Sequence, residues 1–205
     1  VALLTGCVQP VLAPAINEAT IRLLTRHGCE VVVAPGTGCC GALAHHLGKA
    51  GAGLAHARAL IEIWSRELDG EGLDAIVVTA SGCGTTIKDY GFMLREEPAW
   101  AAKARRVSAL ARDVSELMAE LGLGPTVAGA RAGVAYHSAC SMQHGQKITV
   151  QPKALLEQAG FSVRDVPEGH LCCGSAGTYN ILQPELAGRL KERKLANIAR
   201  VGADV

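Results

Sequence analysis

Apolar residues open the chain as a short run, VALLTG at 1–6, after which the spacing lengthens to a helical period from Pro14 to His27. A second short run, EVVVA at 30–34, comes next, and a long helical stripe through LAHARALIEIWSREL at 54–68 leads into a third run, LDAIVVTA at 73–80. Short apolar runs bounded by turn residues predict strands, and apolar positions three and four apart predict helices. From Glu97 to Leu121 the residues Val107, Leu110, Ala111, Val114, Leu117, Met118 and Leu121 fall at helical spacing, which predicts one long amphipathic helix. The pattern then starts again, with GVAYHSA at 133–139 as a strand, Pro152–Ala159 as a helix, SVRDV at 162–166 as a strand and PELAGRLKERKLANIARV at 184–201 as a helix. Strands alternating with helices predict an α/β fold of β-α-β units with mainly parallel sheets.

The restart is an internal repeat. Cys7 and Cys39 are separated by 31 residues, and so are Cys140 and Cys172; each interval closes on Cys-Cys-Gly, and the two copies are offset by 133 positions. RLLTRHGCEVVVAP at 22–35 parallels ALLEQAGFSVRDVP at 154–167, so that Gly28 meets Gly160 and Pro35 meets Pro167. Two tandem homologous modules are therefore expected, residues 1–125 with a trailing helix and residues 126–205, joined through GLGPTVAGARAG at 122–133. In each copy the cysteines fall at strand C-terminal ends, where parallel sheets gather their ligands.

Composition narrows the function. Net charge is +1 and no basic run is interleaved with aromatics, so the electrostatic footprint of a nucleic-acid binder is missing. No stretch reaches the roughly 18 to 20 apolar residues that span a bilayer; a cytoplasmic place is expected, with peripheral association at the inner face of the membrane left open. The chain begins inside an apolar run and ends in RVGADV as a further strand starts, so it is expected to be a fragment.

Adjacent cysteines make poor disulfides, because neighbouring Cα atoms lie about 3.8 Å apart and a relaxed bridge wants about 4.4–6.8 Å. Two thiolates side by side can instead hold different irons of one cluster, with the following glycine letting backbone N–H groups come close to sulfur. Copy one adds Cys83 in TASGCGTT, so Cys7, Cys39, Cys40 and Cys83 can converge from three strand ends on the usual complement of four thiolates. Copy two offers Cys140, Cys172 and Cys173, and aligning Asp74 with Asp204 places the counterpart of Cys83 eight residues beyond Val205. Zinc is the rival, although its structural sites usually draw on ligands two to four residues apart and the chain has no Cys-x-x-Cys. Plain disulfides or free thiols form the third alternative.

The stretches LLTGCVQ, GCCGALAHHLG, TASGCGTTIKDYG, AYHSACSMQHGQKI and HLCCGSAGTYNILQPELA resemble the cysteine-rich CCG domain of heterodisulfide reductases and related iron–sulfur oxidoreductases. Among these they are most similar to glycolate oxidase (glycolate dehydrogenase) iron–sulfur subunits. The resemblance implies an oxidoreductase subunit that relays electrons and itself carries no catalytic residue. Its partners would be flavin-binding subunits that oxidise glycolate to glyoxylate, and its cofactor a 4Fe–4S or noncubane cluster, with zinc conceivable in one module. It also implies an N-terminal ferredoxin-like domain, of which this chain carries no trace, and the ligand set Cys7, Cys39, Cys40, Cys83, Cys140, Cys172 and Cys173. Cys83 is followed by Gly84, Thr85 and Thr86 where the family pattern has Cys-x-x-Cys, which favours four thiolates over a five-cysteine noncubane site. Heterodisulfide reduction and a zinc-stabilised interaction scaffold are the alternative functions.

The remaining polar and aromatic residues have plainer readings. Cys29 aligns with Phe161 and is expected as buried filler. His45, His46 and His56 are expected to pack on or face out from the helix after the first doublet. His137 and His144 flank Cys140 and could hydrogen-bond a bound group. GKAGAG at 48–53 is expected as a turn between helices, Tyr90, Met93 and Trp100 as core, and RLKERK at 189–194 as the wet face of a helix.

Overall fold

In a computed structural model that describes residues 1–124 and 132–205, the chain forms two compact units, Val1–Leu121 and Gly122–Val205. The expected border at 125/126 falls at residues outside the described ones.

Unit 1 is built on a three-stranded parallel sheet in the order β1 (Ala2–Leu4), β2 (Ile76–Val78), β3 (Ala111–Asp113). EVVVA contributes an isolated parallel bridge, Ala2 to Val32, rather than a full strand. Between β1 and β2 lie α1 (Gln9–Leu12), α2 (Pro14–Arg26), α3 (Ala42–His46) and α4 (Ala50–Asp69). The turn expected at GKAGAG lies between α3 and α4, with α4 taking up its last four residues. After β2 come α5 (Ser81–Lys88), α6 (Tyr90–Met93) and α7 (Ala101–Leu110), and α8 (Val114–Leu121) follows β3. Ala57, Leu60, Ile61, Trp64 and Leu68 form one stripe of α4 and share a core cluster with Ala2, Leu4, Ile76 and Val78. Leu3 and Val77, which alternate with those strand residues, are equally buried, so the sheet is covered on both faces as parallel sheets generally are.

The single helix expected over Glu97–Leu121 is two helices with a strand between them. Asp113 Oδ1 accepts the Ser115 N–H at 2.9 Å, and Glu116 Oε2 accepts the Asp113 N–H at 2.8 Å. This is a capping box, which starts α8 afresh and frees Ala111–Asp113 to pair with β2. Helical spacing of the apolar residues hid it, although DVSE carries its signature.

Unit 2 contains β4 (Gly133–Tyr136) and β5 (Ser162–Asp165) in parallel, a π-helical turn at Ser141–Gly145, and α9 (Gln151–Gln158), α10 (Tyr179–Leu182) and α11 (Pro184–Val201). The repeat is visible in backbone detail. Gly28 and Gly160 both adopt positive φ and close their helices with the same pair of bonds: Gly28 N–H to Thr25 O and Cys29 N–H to Leu24 O, then Gly160 N–H to Glu157 O and Phe161 N–H to Leu156 O. The Ala2 N–H bonds the Ala75 carbonyl at 2.9 Å, and the Ala135 N–H bonds the Val205 carbonyl at 2.8 Å, the register expected from aligning Asp74 with Asp204.

Candidate metal centre

The Cys-Cys-Gly corners are built alike. Gly41 has φ +84° and Gly174 φ +85°, a conformation open to glycine at no steric cost. A Cβ on Gly41 would run into the Gly53 carbonyl, and one on Gly174 into the Ala187 carbonyl, so each corner is pressed against the fourth residue of the helix behind it. Each glycine N–H points back at the first thiol of its doublet, Gly41 to Cys39 Sγ at 3.4 Å and Gly174 to Cys172 Sγ at 3.3 Å. The approach of the glycine N–H groups to sulfur follows from the sequence, whereas the tight seat of each glycine against a helix backbone is visible only in the fold.

In unit 1 the four expected thiols come together from three stretches of chain. Cys40 Sγ lies 3.1 Å from Cys83 Sγ in the first turn of α5. The Cys7 thiol, just beyond β1, is pushed up by partial burial of its sulfur, then by Cys39 and Cys40 beside it. The hydrogen bond with Cys83 brings Cys40 down to about 7 against the opposing effect of burial, with the Ala42 N–H assisting. Cys83 moves far upward through that same hydrogen bond, then burial, then the charges of Cys40, Cys7 and Cys39. Neighbouring thiolates repel one another, and a bound metal ion or the positive core of a cluster would offset that repulsion. The thiols gather without encircling a point: among the described residues no three His, Cys, Asp or Glu side chains stand in finished metal-coordinating geometry.

Neighbouring side chains hold the corner. Tyr90, wholly buried, donates its hydroxyl to the Cys40 carbonyl at 2.7 Å. Its own ionisation is driven upward by burial and then by the charges of Cys40, Cys83 and Cys39. Asn17 Nδ2 donates to the Thr5 carbonyl at 3.0 Å and Gln9 Nε2 to Thr79 Oγ1 at 2.6 Å, which fixes the loop carrying Cys7 on both sides. Of the three residues expected as core, Tyr90 is buried in it while Met93 and Trp100 are half-buried and pack against its edge; a buried tyrosine hydroxyl needs a partner, and that requirement was the available signal. Cys29 is half-buried and takes no part in the gathering, and His45 Nδ1 is buried without a partner.

In unit 2, Cys140 draws near Cys172 and Cys173. Its thiol is raised by burial first, then by the charge and hydrogen bond of Cys172 and the charge of Cys173. The preceding His137 Nδ1 and Ser138 Oγ are buried with no hydrogen-bond partner, and His137 is lowered by burial and then by the Lys194 charge. His144 Nε2 instead faces the His170 carbonyl at 3.4 Å. The expectation that RLKERK is wholly solvated fails at its last residue: Lys194 is 4% exposed, because it lies on the inward stripe of α11 with Ala187 and Asn197.

The donor chemistry fits a thiophilic metal or iron–sulfur cluster: three or four soft thiols, glycine N–H groups aimed at sulfur, and backbone pinned behind them. Residues 1–88 and 134–205 match the CCG cysteine-rich domain family. Over 195 residues the chain is 44% identical to the glycolate oxidase iron–sulfur subunit of Escherichia coli K12, covering 95% of this chain and 48% of that protein. The probable glycolate oxidase iron–sulfur subunit of Bacillus subtilis is 29% identical over 201 residues, covering 97% of this chain and 44% of that protein. Lactate utilization protein A of Bacillus licheniformis is 28% identical over 207 residues, the match spanning 84% of it. This chain thus spans about half the length of the two glycolate oxidase relatives, and by the extent of its match it belongs to the CCG cysteine-rich domain family.

Proposed function

We propose that the chain is an iron–sulfur electron-transfer component of a glycolate oxidase complex, taking electrons from a flavin-binding subunit that oxidises glycolate to glyoxylate. The observation that carries this reading is the meeting of Cys7, Cys39, Cys40 and Cys83 in unit 1. The names of the relatives support the same class of cofactor. A cluster of the 4Fe–4S or noncubane kind supplies reversible one-electron storage when bound.

The chain's own residues do the rest. Cys7, Cys39, Cys40 and Cys83 would hold one centre, and Cys140, Cys172 and Cys173 three corners of another. Gly41 and Gly174 offer N–H groups to sulfur, Tyr90 fixes the Cys40 backbone, and the α4 core keeps water from behind the corner. Hydride removal belongs to the flavin partner, so no acid or base is assigned here. Among the described residues no helix is long and apolar enough to cross a membrane; contact with a membrane-borne acceptor would be peripheral.

The test is reduction in the assembled complex. Anaerobic addition of glycolate to the chain co-purified with its flavin-binding partners is expected to bleach the flavin transiently and raise a paramagnetic cluster signal. A flavin that reduces while the cluster stays oxidised would refute the relay. Stoichiometric zinc without visible absorbance would select a scaffold instead. The lactate utilization relatives favour a second substrate reading, in which lactate drives the same signal and glycolate does not.

A further inference from the structure

The repeat singles out one buried charge. Gly41 abuts Gly53 and Gly174 abuts Ala187, so Gly53 and Ala187 are equivalent, and seven residues further along each helix Leu60 corresponds to Lys194. Leu60 is 1% exposed in an apolar cluster, whereas Lys194 at 4% exposed carries an ammonium into the same position. Its hydrogen bond goes to the Glu168 carbonyl at 3.1 Å. The Glu168 carboxylate turns to Arg193 and Asn197, and among the described residues no carboxylate lies within 4.0 Å of Lys194. A buried lysine without a counter-ion is costly, and such groups are rarely found unpaired.

Its surroundings indicate what the counter-ion is. Lys194 lines a narrow crevice, too tight to hold a water, together with Cys172, Leu171, Leu190, Arg193 and Asn197. It also acts on His137, whose Nδ1 is buried and unpartnered three residues before Cys140. A cation therefore sits behind the second cysteine corner where the first has hydrocarbon. We propose that Lys194 is the fixed counter-charge of the anionic centre held by Cys140, Cys172 and Cys173, and that it sets this centre at a higher potential than its environment would otherwise give. The inference rests on the iron–sulfur reading of unit 2. Reduction adds one electron and no proton, so a nearby buried cation stabilises the reduced, more negative state and raises the potential. Lys194 acts through charge and contacts no substrate, which makes it a tuning residue.

The experiment is potentiometric titration, followed by electron paramagnetic resonance, of the cluster-loaded full-length protein in parent, Lys194→Met and Lys194→Arg forms. Met keeps the length and apolar stem, and Arg keeps the charge. The unit 2 midpoint is expected to fall in Lys194→Met by at least the equivalent of a tenfold weaker reduction equilibrium, about 59 mV for one electron. It should return toward the parent value in Lys194→Arg, and the unit 1 midpoint should not move in either. Should Lys194→Met not fold, Lys194→Gln, which can still donate to the Glu168 carbonyl, gives the same reading. An unchanged unit 2 midpoint in loaded protein overturns the counter-charge and leaves the iron–sulfur reading standing. Absence of iron from unit 2 in the parent overturns both.

Discussion

At the first doublet Gly41 rests on Gly53, and the helix behind it turns Leu60 and Trp64 into a closed apolar core. At the second, Gly174 rests on Ala187 with the same φ and the same N–H to sulfur contact, but the helix presents Lys194 and Asn197. Of the hydrophobic residues buried in the described structure, only Ile148, Val166 and Ala187 belong to unit 2. The loop ahead of each doublet differs as well. Gly36 has φ +84° in unit 1, while Glu168, at the matching place after proline, has φ +55° and is tied to α11 through its carboxylate. The geometry of the sulfur corner is thus local, set by one glycine against one helix backbone, and the medium around it is free to diverge.

The comparison can be broken most forcefully by exchanging what lies behind the corners. Leu60→Lys puts an unpaired ammonium into a closed core and is expected to cost about 3–5 kcal/mol, the range for an uncompensated buried charge. Lys194→Leu in cluster-free protein should be neutral or stabilising; urea denaturation of both variants measures the asymmetry. Gly41→Ala and Gly174→Ala come next. Each combines a left-handed conformation with a clash against backbone, so losses of about 2–4 kcal/mol are expected in both units, read from the same unfolding curves. If only one is sensitive, the corners are not equivalent. Tyr90→Phe leaves the Cys40 carbonyl without its partner and should cost about 1–3 kcal/mol, visible as a lowered melting temperature.

The smallest effects concern Glu168. Glu168→Ala should be less stable than Glu168→Gly, because glycine alone bears positive φ freely, as Gly36 does. The Glu168 carboxyl is held at about 2 by hydrogen bonds from Arg193 and then Asn197. This is below the ordinary carboxyl range, so the stabilisation is complete at neutral pH and is lost as pH falls from about 4.3 through the folded-state value. An NMR titration should show the midpoint rising in Arg193→Gln.

Much of this was legible in the chain. Equal spacings from Cys7 to Cys39 and from Cys140 to Cys172 announced the repeat, and the apolar runs before Cys7, Cys83, Cys140 and Cys172 announced the strands β1, β2, β4 and β5. The break at Ala111 was not read because a capping box, two side chains long, outweighed seven apolar residues at helical spacing. Lys194 was misread for a related reason: a charged run looks solvated, and only the turn of α11 shows that its last residue points inward. EVVVA has strand composition but stays at one bridge, since pairing depends on neighbours that composition does not specify. Tyr90 was placed rightly in the core, while the carbonyl it serves depends on folding 50 residues apart.

The central claim is that Cys7, Cys39, Cys40 and Cys83 grip one inorganic centre. It is tested most directly by anaerobic reconstitution with iron and sulfide of a chain carrying Cys140→Ser, Cys172→Ser and Cys173→Ser, alone and with each unit 1 cysteine changed to serine in turn. Bound iron, acid-labile sulfide and a cluster resonance are expected in the first protein and are expected to disappear in all four derivatives. A parent that binds no iron, or derivatives that all retain it, would contradict the account.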